Sequence, residues 1–192
     1  MECPAQPLVT SEDLARAAQA GDQRALNALL TRHKHDAYRV ALRLVGKAQD
    51  AEEVTQNALE RVFKHLGRYD PERPFRPWLI GIVVNQSRSF WRLHKVKAWV
   101  FGYAMESTTN EGPHHELRKK ELRHALGEAL SSLPLEQREA FVLKHIEGLS
   151  YEEIAAVTGQ SLGSLRVRAH RGRRAVLEWC RAHDVTFLGA GG

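Results

Sequence analysis

Apolar residues in this chain recur every three or four positions, and the apolar–polar alternation of a half-buried strand is almost absent. The pattern predicts helices throughout. Ser11 is placed to cap a short helix carrying Leu14, Ala17 and Ala18, which Gly21 ends. Asp22 caps a long helix whose apolar stripe passes through Leu26, Leu29, Leu30, Tyr38, Ala41, Leu42 and Val45, stopping near Gly46. Asp50, with Glu53 three residues on, has the form of a capping box for a third helix carrying Val54, Ala58, Val62 and Leu66. That helix cannot run through Gly67 to Pro77, because Pro71, Pro74 and Pro77 fall within seven residues. Trp78 opens a fourth helix with Leu79, Ile82 and Val83 facing inward, and past Ser89 it turns basic and aromatic.

The stretch 103–115 is polar, contains Gly112-Pro113 and has no apolar period, so it reads as a linker. Helices resume at Glu116 with Leu122, Leu126, Ala129, Leu130 and Leu133, as far as Pro134. The next runs from Leu135 to about Glu147 and stops at Gly148. Ser150 to Glu153 is a capping box for a short helix ending at Gly159, and Ser161 caps a last helix to about His183. The expected fold is all-α, two small helical domains joined by a flexible linker. Its boundaries are an N-terminal tail at 1–11, a first domain at 12–100, the linker at 101–115, a second domain at 116–183 and a C-terminal tail at 184–192.

Composition narrows the function. Hydrophobic residues make up 43% of the chain and charged ones 27%, as in a folded globular protein rather than a disordered one. A net charge of +5 mildly favours a polyanionic partner. Cys3 and Cys180 form neither a disulfide framework nor a zinc quartet, which suits a reducing cytosol. The first residues lack the charged start and apolar core of a signal peptide, and no apolar run reaches membrane-spanning length. A cytoplasmic protein is therefore expected. Of the ten histidines, His33 and His35 point to different helix faces, and His114 and His115 lie in the linker without a nearby Cys or acid. No metal site, cofactor or enzymatic activity is expected, since no phosphate-binding glycine loop and no nucleophile with a positioned base is present.

Basic residues concentrate at 88–97 and 166–174. The segment SYEEIAAVTGQSLGSLRVRAHRGRR (150–174) has the plan of a helix-turn-helix: short helix, turn at Gly159, second helix. Ile154, Ala155, Leu162 and Leu165 would lock the two helices together. The second carries Arg166, Arg168, Arg171, Arg173 and Arg174 with no acid among them. Its first turns would enter the major groove, where Arg can donate two bonds to guanine; the later arginines would lie over phosphates. A solvated basic helix in a generic bundle explains the charge alone. The capping box, the turn glycine and the arginine row together favour DNA.

At these residues the chain resembles a known family. SSLPLEQREAFVLKHIEGLSYEEIAAVTGQSLGSLRVRAHRGRRAV is similar to the −35-reading domain, region 4, of bacterial sigma factors. DAEEVTQNALERVFKHLGRYDPERPFRPWLIGIVVNQSRSFWR is similar to region 2, which binds core polymerase and opens the −10 element. With only these two regions and a short linker, the chain resembles the extracytoplasmic-function group.

The resemblance implies a core-polymerase face at Asp50, Glu53, Gln56 and Asn57, although Asn57 replaces a common acid and Glu60 a common apolar residue. It implies a −10 surface of Arg68, Tyr69, Arg73, Phe75, Arg76, Asn85, Arg88 and Arg92. A proline-stiffened loop is a plausible pocket for an unstacked base, with Phe75 or Tyr69 stacking on it and Arg73 and Arg76 holding phosphates. Trp78 is assigned to the core. The resemblance implies a −35 surface of Ser164, Arg166, Val167, Arg168, His170 and Arg171, to which Arg173 and Arg174 are added. Gly172, inside that helix, costs about 1 kcal/mol relative to Ala and points to close approach of DNA or another helix.

The implied partners are core RNA polymerase, promoter DNA and an anti-sigma factor. The protein would be a monomer when free or 1:1 with the anti-sigma factor, in the cytoplasm or held at a membrane by a membrane-bound partner. A stand-alone dimeric helix-turn-helix regulator would explain 150–174 equally well but not the region 2 resemblance or the proline loop. A helical protein-interaction module would need the basic helices to be only solubilising. Replacing Arg166 and Arg171 with Ala separates that module from both DNA readings.

Overall fold

Four helices of this protein begin where a side chain satisfies the first unpaired N–H groups. The computed structural model describes residues 9–101, 117–183 and 185, and among these residues there are eight α-helices and no strand. The first, α1 (Ser11–Gln19), is capped by Thr10 rather than Ser11, because Thr10 accepts from the Asp13 N–H and Asp13 accepts from the Thr10 N–H in return. Asp22 caps α2 (Gln23–Val45), which ends at Gly46 in the left-handed region (φ 88°). The expected capping box at Asp50 is absent. Instead α3 (Ala48–His65) starts three residues earlier, at a Lys47 cap with no side-chain bond, and Asp50 lies inside its first turn.

A 3₁₀ turn (Leu66–Arg68) and the proline loop lead into α4 (Phe75–Phe101), which begins before Trp78. Pro77 falls in its first turn, where a missing N–H breaks no helical bond. Of the linker expected at 101–115, all but residue 101, where α4 ends, lies outside the described residues, as do residues 1–8 with Cys3 and, of the C-terminal tail, all but residue 185. In the second half, α5 (Leu117–Ser131) is followed by α6 (Leu135–Phe141), which widens into a π turn at Val142–Ile146. Gly148 (φ 73°) stops it, and α7 (Tyr151–Thr158) and α8 (Leu162–Ala182) follow.

In the first half α2 packs against α1, α3 and α4; in the second, α8 packs against α5, α6 and α7. The stripes read from the sequence form these cores: Leu29, Val54, Val62, Leu79 and Val83 are buried in the first, and Leu130, Ile154 and Leu165 in the second, where Leu143 joins them. The two cores join into one continuous apolar cluster, because α4 also packs on α7. Gly81 permits that approach: a Cβ there would stand 2.7 Å from Val157 Cβ. Gly172 plays the same part between α8 and α6, where a Cβ would stand 2.9 Å from the Gln137 carbonyl oxygen and 3.0 Å from Phe141 Cβ. Close helix packing, not DNA, accounts for that glycine.

Candidate nucleic-acid and polymerase interfaces

The helix-turn-helix is held by local chemistry. Ser150 and Glu153 form the expected capping box, the Ser150 N–H donating to Glu153 Oε2 at 2.7 Å and the Glu153 N–H to Ser150 Oγ at 3.1 Å. Gly159 takes the left-handed conformation the turn requires (φ 68°), and Ser161 Oγ accepts from the Ser164 N–H. Ile154 and Leu165 are buried between the helices with Ala169. Leu162, expected in the same contact, is the first residue of α8 and is 38% exposed. On α8, Arg166, Val167, His170, Arg171, Arg173 and Arg174 are exposed and Ser164 is half-buried. Arg166 also lies over the Tyr151 ring, whose centroid is 5.8 Å away. Arg174 pairs with Glu178 at 3.1 Å.

Arg168 differs from its neighbours. Its guanidinium donates to Gln160 Oε1 at 2.5 Å and pairs with Glu136 Oε2 at 2.6 Å, tying α8 to the turn and to the start of α6. It braces the motif from within.

The residues expected to face the −10 element separate into exposed and committed groups. Arg68, Arg73, Asn85 and Arg92 are exposed. Tyr69 and Phe75 are 4% and 1% exposed, so neither ring offers a free face to a base in this conformation. Their rings meet edge-on at 5.3 Å, and Trp78 lies 5.0 Å from Tyr69 and 5.6 Å from Phe75. Burial pushes the Tyr69 phenol up to about 12, so it stays a neutral donor, and it bonds the Arg73 carbonyl oxygen. The sequence offered these aromatics as stacking platforms; the structure uses them as the floor of the proline loop, because an aromatic at a helix entry can bury most of its area there.

Arg76 and Arg88 are committed across the boundary between the two halves. Glu147 accepts from Arg76 Nη2 and Arg43 Nη1, each at 2.5 Å, with its side chain 3% exposed. Asp36 lies 3.3 Å from Arg76 Nε. Glu139, buried, accepts from Arg88 Nε at 3.0 Å through both oxygens and from Nη2 at 2.7 Å. Arg138, also buried, donates to the Leu44 carbonyl oxygen at 2.8 Å and stands over Trp91, whose indole N–H reaches the same carbonyl. Sequence reasoning missed Glu139, Glu147 and Arg138, since acids and a base on a helix read as solvated when the facing surface is unknown.

On α3, Glu53, Gln56 and Asn57 are exposed and Asp50 half-buried, along one edge of the helix. Beside them a groove between α2 and α3 is lined by Leu30, Tyr38, Leu59 and Phe63 among others, with Phe63 58% exposed. Phe63 was detectable in the sequence as an aromatic one position off the buried Val54–Ala58–Val62 stripe. Among the described residues no group of three His, Cys, Asp or Glu is placed to hold a metal ion, and no helix is long and apolar enough to cross a membrane.

The fold and its surfaces define an all-helical protein made of a four-helix bundle and a helix-turn-helix unit. Residues 29–97 match the family described as Sigma-70 region 2, and residues 123–176 match Sigma-70, region 4. The chain is 37% identical to the ECF RNA polymerase sigma factor SigE of Mycolicibacterium smegmatis, covering 85% of this chain and 66% of that protein. It is 30% identical to the ECF RNA polymerase sigma-E factor of Escherichia coli, covering 88% of this chain and 93% of the relative. The solved structure of CnrH in complex with the cytosolic domain of CnrY is 28% identical, with a TM-score of 0.67 over 90% of this chain and 97% of that one. A complex of the sigma factor RpoE with the anti-sigma factor NepR from Bartonella quintana shares the fold, with a TM-score of 0.70 at 23% identity over 81% of this chain and 96% of that one. The chain belongs to the extracytoplasmic-function sigma factors of bacterial RNA polymerase. These are transcription initiation factors, not enzymes: they direct core polymerase to promoters.

Proposed function

We propose that residues 12–100 dock on core polymerase and read the −10 element, while residues 116–183 read the −35 element. The observation that carries this is the exposed row Arg166, Val167, His170 and Arg171 on α8, set behind a capped turn with no acid in the row. Bidentate Arg–guanine contacts at such positions are worth about 1–3 kcal/mol each. Asp50, Glu53, Gln56 and Asn57, with the Phe63 groove beside them, supply the polymerase face. Arg68, Arg73, Asn85 and Arg92 are the −10 contacts available at once; Arg76 and Arg88 join them only when phosphates replace Glu147 and Glu139. Tyr69 and Phe75 shape the loop from beneath.

An anti-sigma factor is the proposed regulator. The similar CnrH was solved bound to the cytosolic domain of a second protein, which supports a regulator that keeps this chain cytoplasmic and, where that regulator is membrane-bound, at the membrane.

The test is fluorescence anisotropy on a labelled promoter with purified core polymerase. Arg166→Ala should weaken promoter binding about tenfold while leaving core affinity unchanged. Glu53→Ala with Gln56→Ala should weaken core binding first. Equal effects of both variants on both steps would refute the division of labour.

A further inference from the structure

We infer that α1 is a positioning element for promoter reading, in which Gln19 and Glu12 fix the backbone of the proline loop before DNA arrives. This rests on the −10 reading of that loop proposed above. The helix precedes residues 29–97, where the region 2 match begins. Its polar side chains nevertheless converge on the loop. The Gln19 amide donates at 2.8 Å to the Leu66 carbonyl oxygen and at 2.8 Å to that of Tyr69, spanning the 3₁₀ turn through which the chain leaves α3. At the other end, Glu12 Oε1 accepts from the Phe75 N–H at 2.9 Å, pinning the residue where the loop becomes α4. Arg16 adds an exposed pair with Glu72 at 2.7 Å.

These bonds answer a local need. The Leu66 carbonyl accepts the Tyr69 N–H at 2.9 Å and takes the Gln19 amide as a second donor, while Pro71 and Pro74 offer no N–H to the loop, so the Tyr69 carbonyl relies on a side chain. Two carbonyls facing one point call for a side chain with two donors, which Gln supplies and a carboxylate does not. With both ends held and Tyr69 buried beneath, Arg68 and Arg73 are presented from a backbone whose shape is set in advance. A preshaped loop loses less conformational freedom on binding, so its anchors act on recognition more than on folding.

Two substitutions test this in the full chain with core polymerase. Gln19→Glu keeps the size but turns an acceptor toward two carbonyls. Glu12→Ala removes the pin at Phe75, and Glu12→Gln restores an acceptor. Transcription from templates randomised at each −10 position reads the base preference, and −35 duplex binding and core affinity are measured alongside. Gln19→Glu and Glu12→Ala should each lower the −10 preference about fivefold to tenfold, Glu12→Gln should restore it, and −35 and core affinities should stay at wild-type values. Wild-type preference in Gln19→Glu and Glu12→Ala would overturn the inference. So would a parallel fall in −10, −35 and core binding, which marks a general folding role. A wild-type protein without −10 preference would overturn the loop reading itself, and this inference with it.

Discussion

Replacing Glu139 with Gln removes the charge that holds Arg88 across the boundary between the bundle and the helix-turn-helix unit. Glu139 is 1% exposed and receives three N–H contacts from one guanidinium, at 2.7–3.0 Å. Removing one partner of a buried ion pair costs about 3–5 kcal/mol, because the other charge is left desolvated. Arg88 is a quarter exposed and Gln keeps one acceptor oxygen, so about 2 kcal/mol is expected here. The cost falls on the contact between halves, which shifts toward separation by roughly thirtyfold. A double-mutant cycle with Arg88→Gln, read by chemical denaturation and by fluorescence transfer between dyes on α3 and α8, isolates the pair. A coupling of about 1 kcal/mol or more, with lower transfer in Glu139→Gln, is expected. Single-variant effects that add within about 0.5 kcal/mol would refute it.

Gly172→Ala should lower Tm although Ala is the better helix former: the new Cβ meets a backbone carbonyl, and overpacking costs about 1–3 kcal/mol against a propensity gain of about 1. Gly163→Ala, with nothing within 4 Å, should raise Tm slightly, and the opposite order of the two would contradict the packing argument. Burial holds the His33 imidazole below its usual value despite nearby Asp36, and burial does the same to His145, helped by Arg173 and Lys144. Both therefore bind protons less readily folded than unfolded, so stability should be full above about pH 6.5, the unfolded value, and fall as the pH drops below it. His33→Phe should reduce the fall in urea titrations at pH 7 and pH 5; an undiminished fall would place its origin elsewhere. Arg173→Ala should reduce the slope of log affinity against log salt for −35 DNA by about 1, where a change in base preference at constant slope would make Arg173 a base reader.

The helix-turn-helix was the most legible part of the chain, because Ser150, Glu153, Gly159 and Ser161 act within a few residues of their own positions. Apolar periodicity likewise placed Val54, Ala58, Val62 and Leu79 in the core. Cap positions were less legible. Thr10 displaced Ser11, since one residue's shift in helix phase changes which side chain reaches the free N–H groups, and α3 starts with no side-chain cap, leaving Asp50 inside its first turn. Charge roles were least legible. Arg88 and Arg168 look like Arg92 and Arg166 in the sequence, but only the fold brings Glu139 and Glu136 to the first two. The residues matched to regions 2 and 4 carried the functional assignment; the bonds from α1 to the proline loop join residues about fifty positions apart and leave no periodic trace.

The most direct test of the sigma assignment is run-off transcription with bacterial core polymerase, this protein and a promoter selected from the DNA that the holoenzyme binds. A promoter-dependent transcript that appears only on addition of the protein, and is lost with Arg166→Ala, is the predicted result. Tight DNA binding without polymerase, and no transcript with it, would contradict the account and favour a stand-alone regulator.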